Sequence, residues 1–261
     1  MSYWTDEEIE VLKKSNESSF AIGKHLDRSS QSVRRKASNL GIHLGKHGGS
    51  EPIFSINKDF FKVWTTEMAY ILGFWFADGC IKKNTQKSAM CIEFVSKDKD
   101  ILQKINSAMK SDYRLHMDKN NSYRIWISNT AMAHDILALG GTERKSLTNT
   151  FPEVPSEFVY DFIRGYWDGD GYISILDKND YPEIGCVGTY QFLDSIKNYL
   201  NWTKVTKNSQ KTNLYSLHYY GEKAQQVMSL LYNNASIAMD RKYDLYLRGM
   251  QWCRQKGRSN I

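Results

Sequence analysis

One nine-residue pattern occurs twice in this chain, and the repeat restricts its possible folds more than any other feature. The copies are ILGFWFADG at 71–79 and IRGYWDGDG at 163–171, and their aspartates, Asp78 and Asp170, lie 92 positions apart. Each copy places a glycine before two aromatic residues and ends in Asp-Gly. A period this long, present in only two copies, does not suit a solenoid. The repeat therefore predicts two similar half-domains related by a pseudo-twofold axis.

Read as a helix, each copy carries a stripe of small residues. They recur at every fourth position, at Ala69, Gly73 and Ala77 in the first copy and at Gly165 and Gly169 in the second. Glycine inside a helix costs roughly 1 kcal/mol relative to alanine, so close approach of the two helices must offset that cost. We therefore predict that the helices pack backbone to backbone, with Asp78 and Asp170 meeting at one end of the interface.

Such a meeting of Asp78 and Asp170 has a chemical consequence. Neighbouring carboxylates repel each other, and one of them becomes protonated unless a cation lies between them. Hard divalent cations prefer oxygen ligands, so Mg²⁺ is the expected occupant, with the backbone carbonyls of Ala77 and Gly169 as further ligands. A site of this kind can bind a phosphodiester, activate water and stabilise the leaving oxygen.

The segments that follow each motif share one order of elements. Apolar periodicity predicts a motif helix, a strand hairpin, a helix, a second pair of strands and a closing helix. Because this α-β-β-α-β-β-α order occurs once in residues 59–155 and again in 156–261, we assign one half-domain to each range. The predicted fold class is α+β.

Residues 1–44 carry a different pattern. Three short helices are predicted, because Thr5 and Glu8 can form a capping box and a tight link at 27–29 separates the last two helices. The third helix exposes a face typical of a DNA-recognition helix, made of Gln31, Ser32, Arg34, Arg35 and Lys36. The segment resembles Myb-like and other helix-turn-helix modules, and a plain three-helix bundle with a solvated basic face is the alternative. Residues 45–58 are predicted to be a Gly-rich linker.

Composition narrows the class of protein further. No apolar run approaches the roughly 18 residues of a membrane span, and the N terminus lacks the features of a signal peptide. The four cysteines are scattered without a C-x-x-C pair, so we expect reduced thiols in an intracellular, cytoplasmic protein. The net charge of +6 favours a nucleic-acid partner only weakly.

Both motifs resemble those of the LAGLIDADG homing endonucleases in their single-chain, two-motif form, over about residues 65–252. The resemblance implies a fold in which two four-stranded antiparallel sheets form a saddle over DNA. It implies a monomer that breaks both strands of a long double-stranded DNA site by phosphodiester hydrolysis, leaving short 3′ overhangs. Two or three Mg²⁺ ions would be shared between Asp78 and Asp170.

The resemblance also suggests further site residues. Lys145 and Lys242, 67 and 72 residues after their motif aspartates, are similar to the paired catalytic-pocket lysines of the family. Lys97 and Thr189, just past the second strand of each half, look like the polar pair that positions water. The residues expected to bind DNA from the strands and their turns are Lys82, Lys83 and Arg124.

The two motifs differ at their sixth position, which is Phe76 in one copy and Asp168 in the other. Since Asp168 has no counterpart, we expect it to be structural and not a metal ligand. A calcium loop starting at Asp168 is excluded, because Ile173 stands where glycine is required and Asn179 where the closing glutamate is required. Two alternatives to a nuclease keep the fold: an intron RNA maturase and a DNA-binding transcription regulator that does not cut.

Overall fold

The computed structural model describes residues 4–45, 54–84, 89–142, 149–176, 181–201, 204–207 and 214–252. By backbone proximity the chain divides into two compact units, Met1–Phe54 and Ser55–Ile261. Each unit has its own hydrophobic core. We describe the units separately.

The first unit contains three short helices, α1 (Asp6–Lys14), α2 (Ser19–His25) and α3 (Ser30–Asn39). Each begins at a hydroxyl cap, because the side chains of Thr5, Ser18 and Ser29 accept hydrogen bonds from the first turn. The apolar side chains that these helices share form a small core of Leu12, Ile22, Val33 and Ala37. The three predicted helices are therefore confirmed.

A partly buried ion pair fixes the turn between α2 and α3. Arg28 donates to both carboxylate oxygens of Glu8, at 2.7 and 2.9 Å, and its guanidinium lies 4.5 Å from the centre of the Trp4 ring. Glu8 also accepts from the backbone N–H of Thr5 in the capping box. One carboxylate thus ties the start of α1 to the turn, which Asp27 makes with a positive φ of 51°.

The second unit repeats one order of elements. Its first half contains α4 (Thr66–Asp78), β1 (Gly79–Asn84), β2 (Ala89–Ser96), α5 (Lys99–Ala108), β3 (Leu115–Met117), β4 (Tyr123–Ser128) and α6 (Thr130–Ala138). The second half contains α7 (Val159–Asp170), β5 (Gly171–Leu176), β6 (Tyr181–Gly188), α8 (Tyr190–Tyr199), β7 (Thr206–Lys207), β8 (Tyr215–Tyr220) and α9 (Gly221–Tyr232). The antiparallel sheets have equivalent orders, β1-β2-β4-β3 and β5-β6-β8-β7. The fold is α+β, as predicted.

Two features differ from the sequence prediction. An additional helix, α10 (Asp240–Met250), follows α9 and buries Lys242, Tyr246 and Gly249 on one face. The apolar pattern predicts the third strand over residues 113–117, but β3 begins at Leu115, since the Tyr113 N–H bonds the Ser111 hydroxyl and its carbonyl accepts from the Asn106 side chain. These local bonds replace the ladder bonds that would extend the strand.

Residues 55–57, which the sequence placed in the linker, pack against the first half. The Ser55 N–H donates to the Asp112 carboxylate at 2.7 Å, and the Asn57 N–H donates to the Met109 carbonyl at 2.9 Å. Two buried aromatic residues, Phe60 and Phe61, follow directly. The segment is therefore part of the second unit.

The centre of the second unit is the contact between α4 and α7. A Cβ atom added to Gly73 would lie 2.0 Å from the carbonyl oxygen of Phe162, and one added to Gly165 would lie 1.9 Å from that of Tyr70. Since a real Cβ does not approach so closely, only glycine allows the backbones to touch at both points. The predicted backbone-to-backbone packing of the motif helices is confirmed.

The structure describes three of the four cysteines and the helices that could be compared with a membrane span. Cys80, Cys91 and Cys186 form no disulfide bond within the described residues, and Cys253 lies outside them. No helix in the described ranges is both long and apolar enough to cross a membrane.

Replacing Gly73 or Gly165 by alanine should lower the free energy of unfolding by about 1–3 kcal/mol or more, because each new methyl group meets backbone atoms that cannot move aside. Urea denaturation measures the loss. Gly249→Ala in α10 is the matched control, since its Cβ would meet only side-chain atoms at 3.1–3.5 Å. A loss at Gly73 and Gly165 no larger than that of the control would show that the two backbones do not touch.

Candidate functional site

The two motif helices end in the same way. In each, the motif aspartate is the last helical residue, and the N–H of the next glycine donates to the tryptophan carbonyl four positions earlier, Gly79 to Trp75 and Gly171 to Trp167. A Cβ at Gly79 would lie 2.1 Å from its tryptophan ring, and one at Gly171 would lie 2.4 Å from its own. The Asp-Gly pair is therefore a compact exit from the helix into the first strand.

The structure brings Asp78 and Asp170 to one end of the helix interface. Both are partly buried. A Cβ added to Gly169 would lie 2.3 Å from the Ala77 side chain and 3.4 Å from Oδ2 of Asp78, so the Asp78 carboxylate lies beside the residue that precedes Asp170. Burial raises the pKa of the Tyr166 hydroxyl well above its usual value, and the charges of Asp170 and Asp78 raise it further. The pKa of this one hydroxyl group is therefore raised by both carboxylates.

Lys242 is the most completely hydrogen-bonded charge at this site. Its side chain is 2% exposed. Its Nζ donates to the carbonyls of Trp167, Asp168 and Gly171, at 2.7, 2.8 and 2.6 Å. These acceptors lie in the last turn of α7 and at the first residue of β5, where the C-terminal end of the helix makes a positive charge favourable. All three protons of the ammonium group are therefore used within the protein.

The charge of Lys242 is balanced between opposing effects. Burial lowers its pKa to about 8, and the carboxylate of Asp168 opposes this shift. The guanidinium of Arg241 lowers the pKa further, whereas Asp78 and Asp98 raise it. The lysine therefore places its positive charge near Asp78 while its three donors face carbonyls of the protein.

Asp168 is a buried structural carboxylate. It is 1% exposed and accepts hydrogen bonds from the hydroxyls of Tyr70 and Tyr232, at 2.6 and 2.7 Å, and from the Met239 N–H at 2.8 Å. Burial raises the pKa of Asp168, while the nearby Lys242 ammonium and the three hydrogen bonds oppose this rise. Its oxygens point to protein donors, which agrees with the structural role expected from the sequence.

Arg164 supports the same region from the preceding turn of α7. It is 3% exposed and donates to the carbonyls of Ile237 and Leu231, at 2.8 and 2.9 Å, and to Asp161 at 2.6 Å. Arg164 and Asp168 are four residues apart, so they share one helix face. Together they bind the segment between α9 and α10, and this segment carries Lys242 to its position.

A cavity of about 350 Å³ opens beside Asp78. Its walls come from both halves of the second unit and include Asp78, Lys97, Asp98, Gly169, Arg241 and Lys242. Arg241 bonds both oxygens of Asp98, at 3.1 and 3.2 Å. Lys97 is exposed and shares the cavity with Asp78. The structure therefore brings Lys97, Lys242 and the first motif aspartate around one space.

Thr189 has a different environment. Its hydroxyl accepts from the Phe192 N–H as the N-cap of α8 and donates to the Asn149 carbonyl at 2.7 Å. Asn149 in turn donates from Nδ2 to the Phe76 carbonyl, at 3.1 Å. Phe76 is the residue equivalent to Asp168, so an amide contacts the end of α4 where an ammonium contacts the end of α7. Lys145, the other predicted lysine, lies outside the described residues.

The donor set at the helix ends fits a divalent cation. Within the described part of the chain, no cluster of three or more His, Cys, Asp or Glu side chains could hold a metal. Mg²⁺, however, is usually held by one or two carboxylates together with substrate phosphates and water. Asp78 and Asp170 supply two carboxylates, and the carbonyls of Ala77 and Gly169, also predicted as ligands, lie one residue before each.

Comparison with known proteins identifies part of the chain. Residues 65–138 match the family model described as LAGLIDADG-like domain. This segment is similar to a LAGLIDADG-like domain. It spans α4 to α6, the whole of the first half, and the second half repeats its order of elements and its motif. No curated protein matches the chain.

Several solved structures are similar to this chain at low identity. The LAGLIDADG meganuclease I-AabMI bound to uncleaved DNA is 13% identical, with 67% of this chain and 86% of that one covered and a TM-score of 0.48. The I-LtrWI LAGLIDADG homing endonuclease bound to target DNA is 13% identical, with 72% and 88% covered and a TM-score of 0.47. The I-GzeII LAGLIDADG homing endonuclease in complex with its DNA target is 12% identical, with 68% and 86% covered and a TM-score of 0.49.

The sheet of the first half presents paired charges on its outer face. Lys82, Glu93, Arg124 and Trp126 share this face, because strand pairing sets Glu93 opposite Trp126 and places the two cations beside them. Glu93 is 2% exposed and accepts from Lys82 at 2.7 Å and from Arg124 at 2.8 Å. Lys82 also lies 4.9 Å from the Trp126 ring centre. Lys83, the third predicted DNA-binding residue, is exposed.

The sheet of the second half has a different outer face, which the sequence did not single out. The Tyr172 hydroxyl donates to Glu183 and lies 2.8 Å from Nδ1 of His218, and the His218 ring stacks on Tyr220. Strands 171–176, 181–188 and 215–220 contain no lysine or arginine. The alternation of apolar and polar residues over 215–219 in β8 was the sequence signal that could have identified this face.

The face predicted on α3 is open to solvent. Gln31, Arg34 and Arg35 are exposed, and Ser32 and Lys36 are partly buried. A groove of about 840 Å³ in the first unit is lined by Trp4, Arg28 and the α3 residues Gln31, Ser32, Arg35 and Lys36. Within the described residues, Arg34 and Arg35 form no ion pair.

Removing the Asp168 carboxylate should destabilise the protein strongly. Asp168→Ala leaves two tyrosine hydroxyls and the Met239 N–H without their buried acceptor and removes the negative charge that opposes the buried Lys242 ammonium, so we expect a loss of about 3–5 kcal/mol in the free energy of unfolding. Asp168→Asn keeps an acceptor and should lose less. Asp194→Ala, which breaks a partly exposed pair with Lys197, is the control and should cost at most about 1 kcal/mol. Chemical denaturation would contradict the structural role if Asp168→Ala matched that control.

Proposed function

We propose that this chain is a site-specific DNA endonuclease that makes a double-strand break by Mg²⁺-dependent phosphodiester hydrolysis. The observation that carries the proposal is the position of the two motif aspartates, which end touching helices beside a cavity that also holds Lys97 and Lys242. The LAGLIDADG-like domain at 65–138 supports the proposal, because the carboxylates belong to its motif and to the repeat of that motif. One chain supplies both carboxylates, so a monomer suffices.

Asp78 and Asp170, with the carbonyls of Ala77 and Gly169, would hold the divalent cations. When bound, these cations supply Lewis-acid stabilisation of the charge that develops on the phosphodiester oxygens. The backbone contact at Gly73 and Gly165 fixes the spacing of the two carboxylates. Since both sit at the ends of rigid helices, little reorganisation is needed when DNA binds.

The cations of the protein take separate roles. Lys242 is buried and fully hydrogen-bonded, so it acts through its fixed charge at the end of α7. Lys97 is exposed in the cavity, where its ammonium can contact a phosphate oxygen or orient water. Lys145 follows the first motif in the chain as Lys242 follows the second, so it is proposed to act in the first half as Lys242 acts in the second.

Double-stranded DNA is proposed to bind across the outer faces of the two sheets. The first face offers Lys82 and Arg124, held in place by Glu93. The second offers Tyr172, Glu183 and His218, which can exchange hydrogen bonds with base edges. The α3 face of the first unit is proposed to add contacts to flanking phosphates.

The first test is to find and cut a target. We expect the purified full chain, incubated with a DNA library and Mg²⁺, to yield cut ends that map to one long site. An intron RNA maturase or a non-cutting transcription regulator would give bound nucleic acid without cut ends.

Asp78→Asn and Asp170→Asn should each abolish the double-strand break while leaving DNA affinity within about twofold, because the carboxylates hold cations and do not grip the duplex. Plasmid cleavage and a binding isotherm measure the two effects. Asp194→Asn is the matched control, since this carboxylate pairs with Lys197 on α8, and it should retain cleavage. Full cutting by either motif variant would contradict the assignment.

Removing charge from α3 should weaken binding without moving the cut. Arg34→Ala combined with Arg35→Ala should lower affinity and flatten the salt dependence, by a slope of about 0.9 for each lost phosphate contact. A chain beginning near Ser50 should likewise cut the same phosphodiesters but bind more weakly. Lys13→Ala with Lys14→Ala is the control, since these lysines pair with Glu10 on α1. Salt slopes identical to those of the intact chain would remove α3 from the DNA interface.

A further inference from the structure

We propose that Glu183 makes the sheet of the second half selective for a base that presents an exocyclic amino group in the major groove, cytosine or adenine, and that its charge weakens binding to DNA without that group. This inference deepens the proposed function, since it rests on DNA binding across the outer faces of the two sheets. It concerns a carboxylate that phosphodiester hydrolysis does not use.

Glu183 lies on the outer face of the sheet of the second half. The next residue of β6, Ile184, is fully buried in the core, so the alternation of the strand turns Glu183 to the opposite side. Tyr172 and His218 share this side, because strand pairing sets both of them opposite Gly185. The Glu183 side chain is 16% exposed. A carboxylate is therefore present on the surface that is proposed to meet the DNA.

The negative charge of Glu183 is not neutralised as that of Glu93 is. Glu93, on the first sheet, is 2% exposed and binds two cations. Among the residues that the structure describes, Glu183 has one ion-pair partner, His218, whose Nδ1 is 3.9 Å away and which is charged only when protonated. Lys207 on the edge strand β7 lies opposite Tyr215, which packs against the core, so this lysine does not share the outer face. A ligand on this face therefore meets a negative charge.

The hydrogen bonds around Glu183 point toward its carboxylate. The Tyr172 hydroxyl has one proton and donates it to Glu183. Its oxygen lies 2.8 Å from Nδ1 of His218, so Nδ1 carries a proton and is the donor of this second bond. Burial raises the pKa of the Tyr220 hydroxyl, and the charge of Glu183 raises it further, which places a second hydroxyl near the carboxylate. Neutral His218 keeps its other nitrogen, Nε2, as an acceptor, so an anionic and a neutral acceptor lie side by side.

This pair of acceptors is complementary to a donor and not to a phosphate. In the major groove the hydrogen-bond donors are the N4 amino group of cytosine and the N6 amino group of adenine, whereas guanine and thymine present acceptors. An unpaired carboxylate near the phosphates of DNA lowers affinity. Since only an amino group offsets the cost of removing Glu183 from water, the residue selects its base by penalising the others.

The test measures binding of the full chain to its mapped target without divalent cation. Each cytosine or adenine is replaced in turn by an analogue that carries hydrogen in place of the exocyclic amino group. At one position the intact protein should lose about tenfold or more in affinity. Glu183→Ala should lose less than about twofold at that position, and Glu183→Gln, which retains a neutral acceptor, should fall between them. The cytosine and adenine series identify which base is read.

A second measurement uses a DNA duplex that lacks the target site. Glu183→Ala and Glu183→Gln should each raise affinity for this duplex about twofold or more, because a negative charge is removed from the interface. Asp194→Asn is the matched control. It removes the same charge from α8, whose Phe192 packs into the core behind the sheet, and it should leave this affinity unchanged.

Tyr172→Phe separates base selection from a scaffolding role. It removes a donor from Glu183 but keeps the charge, so it should weaken target binding and retain the dependence on the amino group. Three results would overturn the inference alone: no position at which the loss depends on Glu183, no gain in affinity for the duplex without the site in either Glu183 variant, or disappearance of the base dependence in Tyr172→Phe. A chain that binds no DNA of the library would overturn the proposed function and the inference together.

Discussion

The contact between α4 and α7 is the constraint on which the rest of the second unit depends. Gly73 and Gly165 each stand five residues before a motif aspartate, which corresponds to about 7.5 Å of helix rise in both cases. Because the backbones touch at these glycines, the two helices reach their last turn at the same level. The equality of the two offsets, and not any direct interaction between the carboxylates, is what places Asp78 and Asp170 together.

Much of this architecture was readable from the sequence because its signals are local. Caps, periodicity and the small-residue stripe predicted the motif helices, the order of strands and the three N-terminal helices. The residues around the aspartates were harder, because their partners are distant in the chain. Lys242 was identified as a pocket lysine, but nothing near it shows that its three protons go to carbonyls 71–75 positions earlier. Helix α10, which carries Lys242, was missed for a related reason, because a buried lysine interrupts the apolar pattern of its buried face.

The repeat also shows how a duplicated frame can diverge without losing its geometry. Phe76 and Asp168 occupy equivalent positions but are stabilised by different interactions. Phe76 packs on the rings of Phe162 and Phe192, whereas Asp168 accepts hydrogen bonds from buried hydroxyl groups. A buried carboxylate is stable only when its donors are in place. An aspartate at this position of the second half therefore depends on hydroxyl donors from Tyr70 of the first half and from Tyr232 at the end of α9. These hydrogen bonds join the two halves and help to position Lys242.

The charged and polar side chains on the two sheet faces are also held in fixed pairs. With a net charge of only +6, long-range attraction would contribute little to choosing a partner. The first sheet instead sets two cations over the buried Glu93, and the second holds Tyr172 between Glu183 and His218. Such pairs reduce the net charge of the surface, but they restrict the directions in which the remaining donors point. On the proposed function, a surface built in this way would discriminate by the arrangement of its hydrogen bonds, since a ligand that left Glu93 or Glu183 unpaired would lose more than a matching ligand gains.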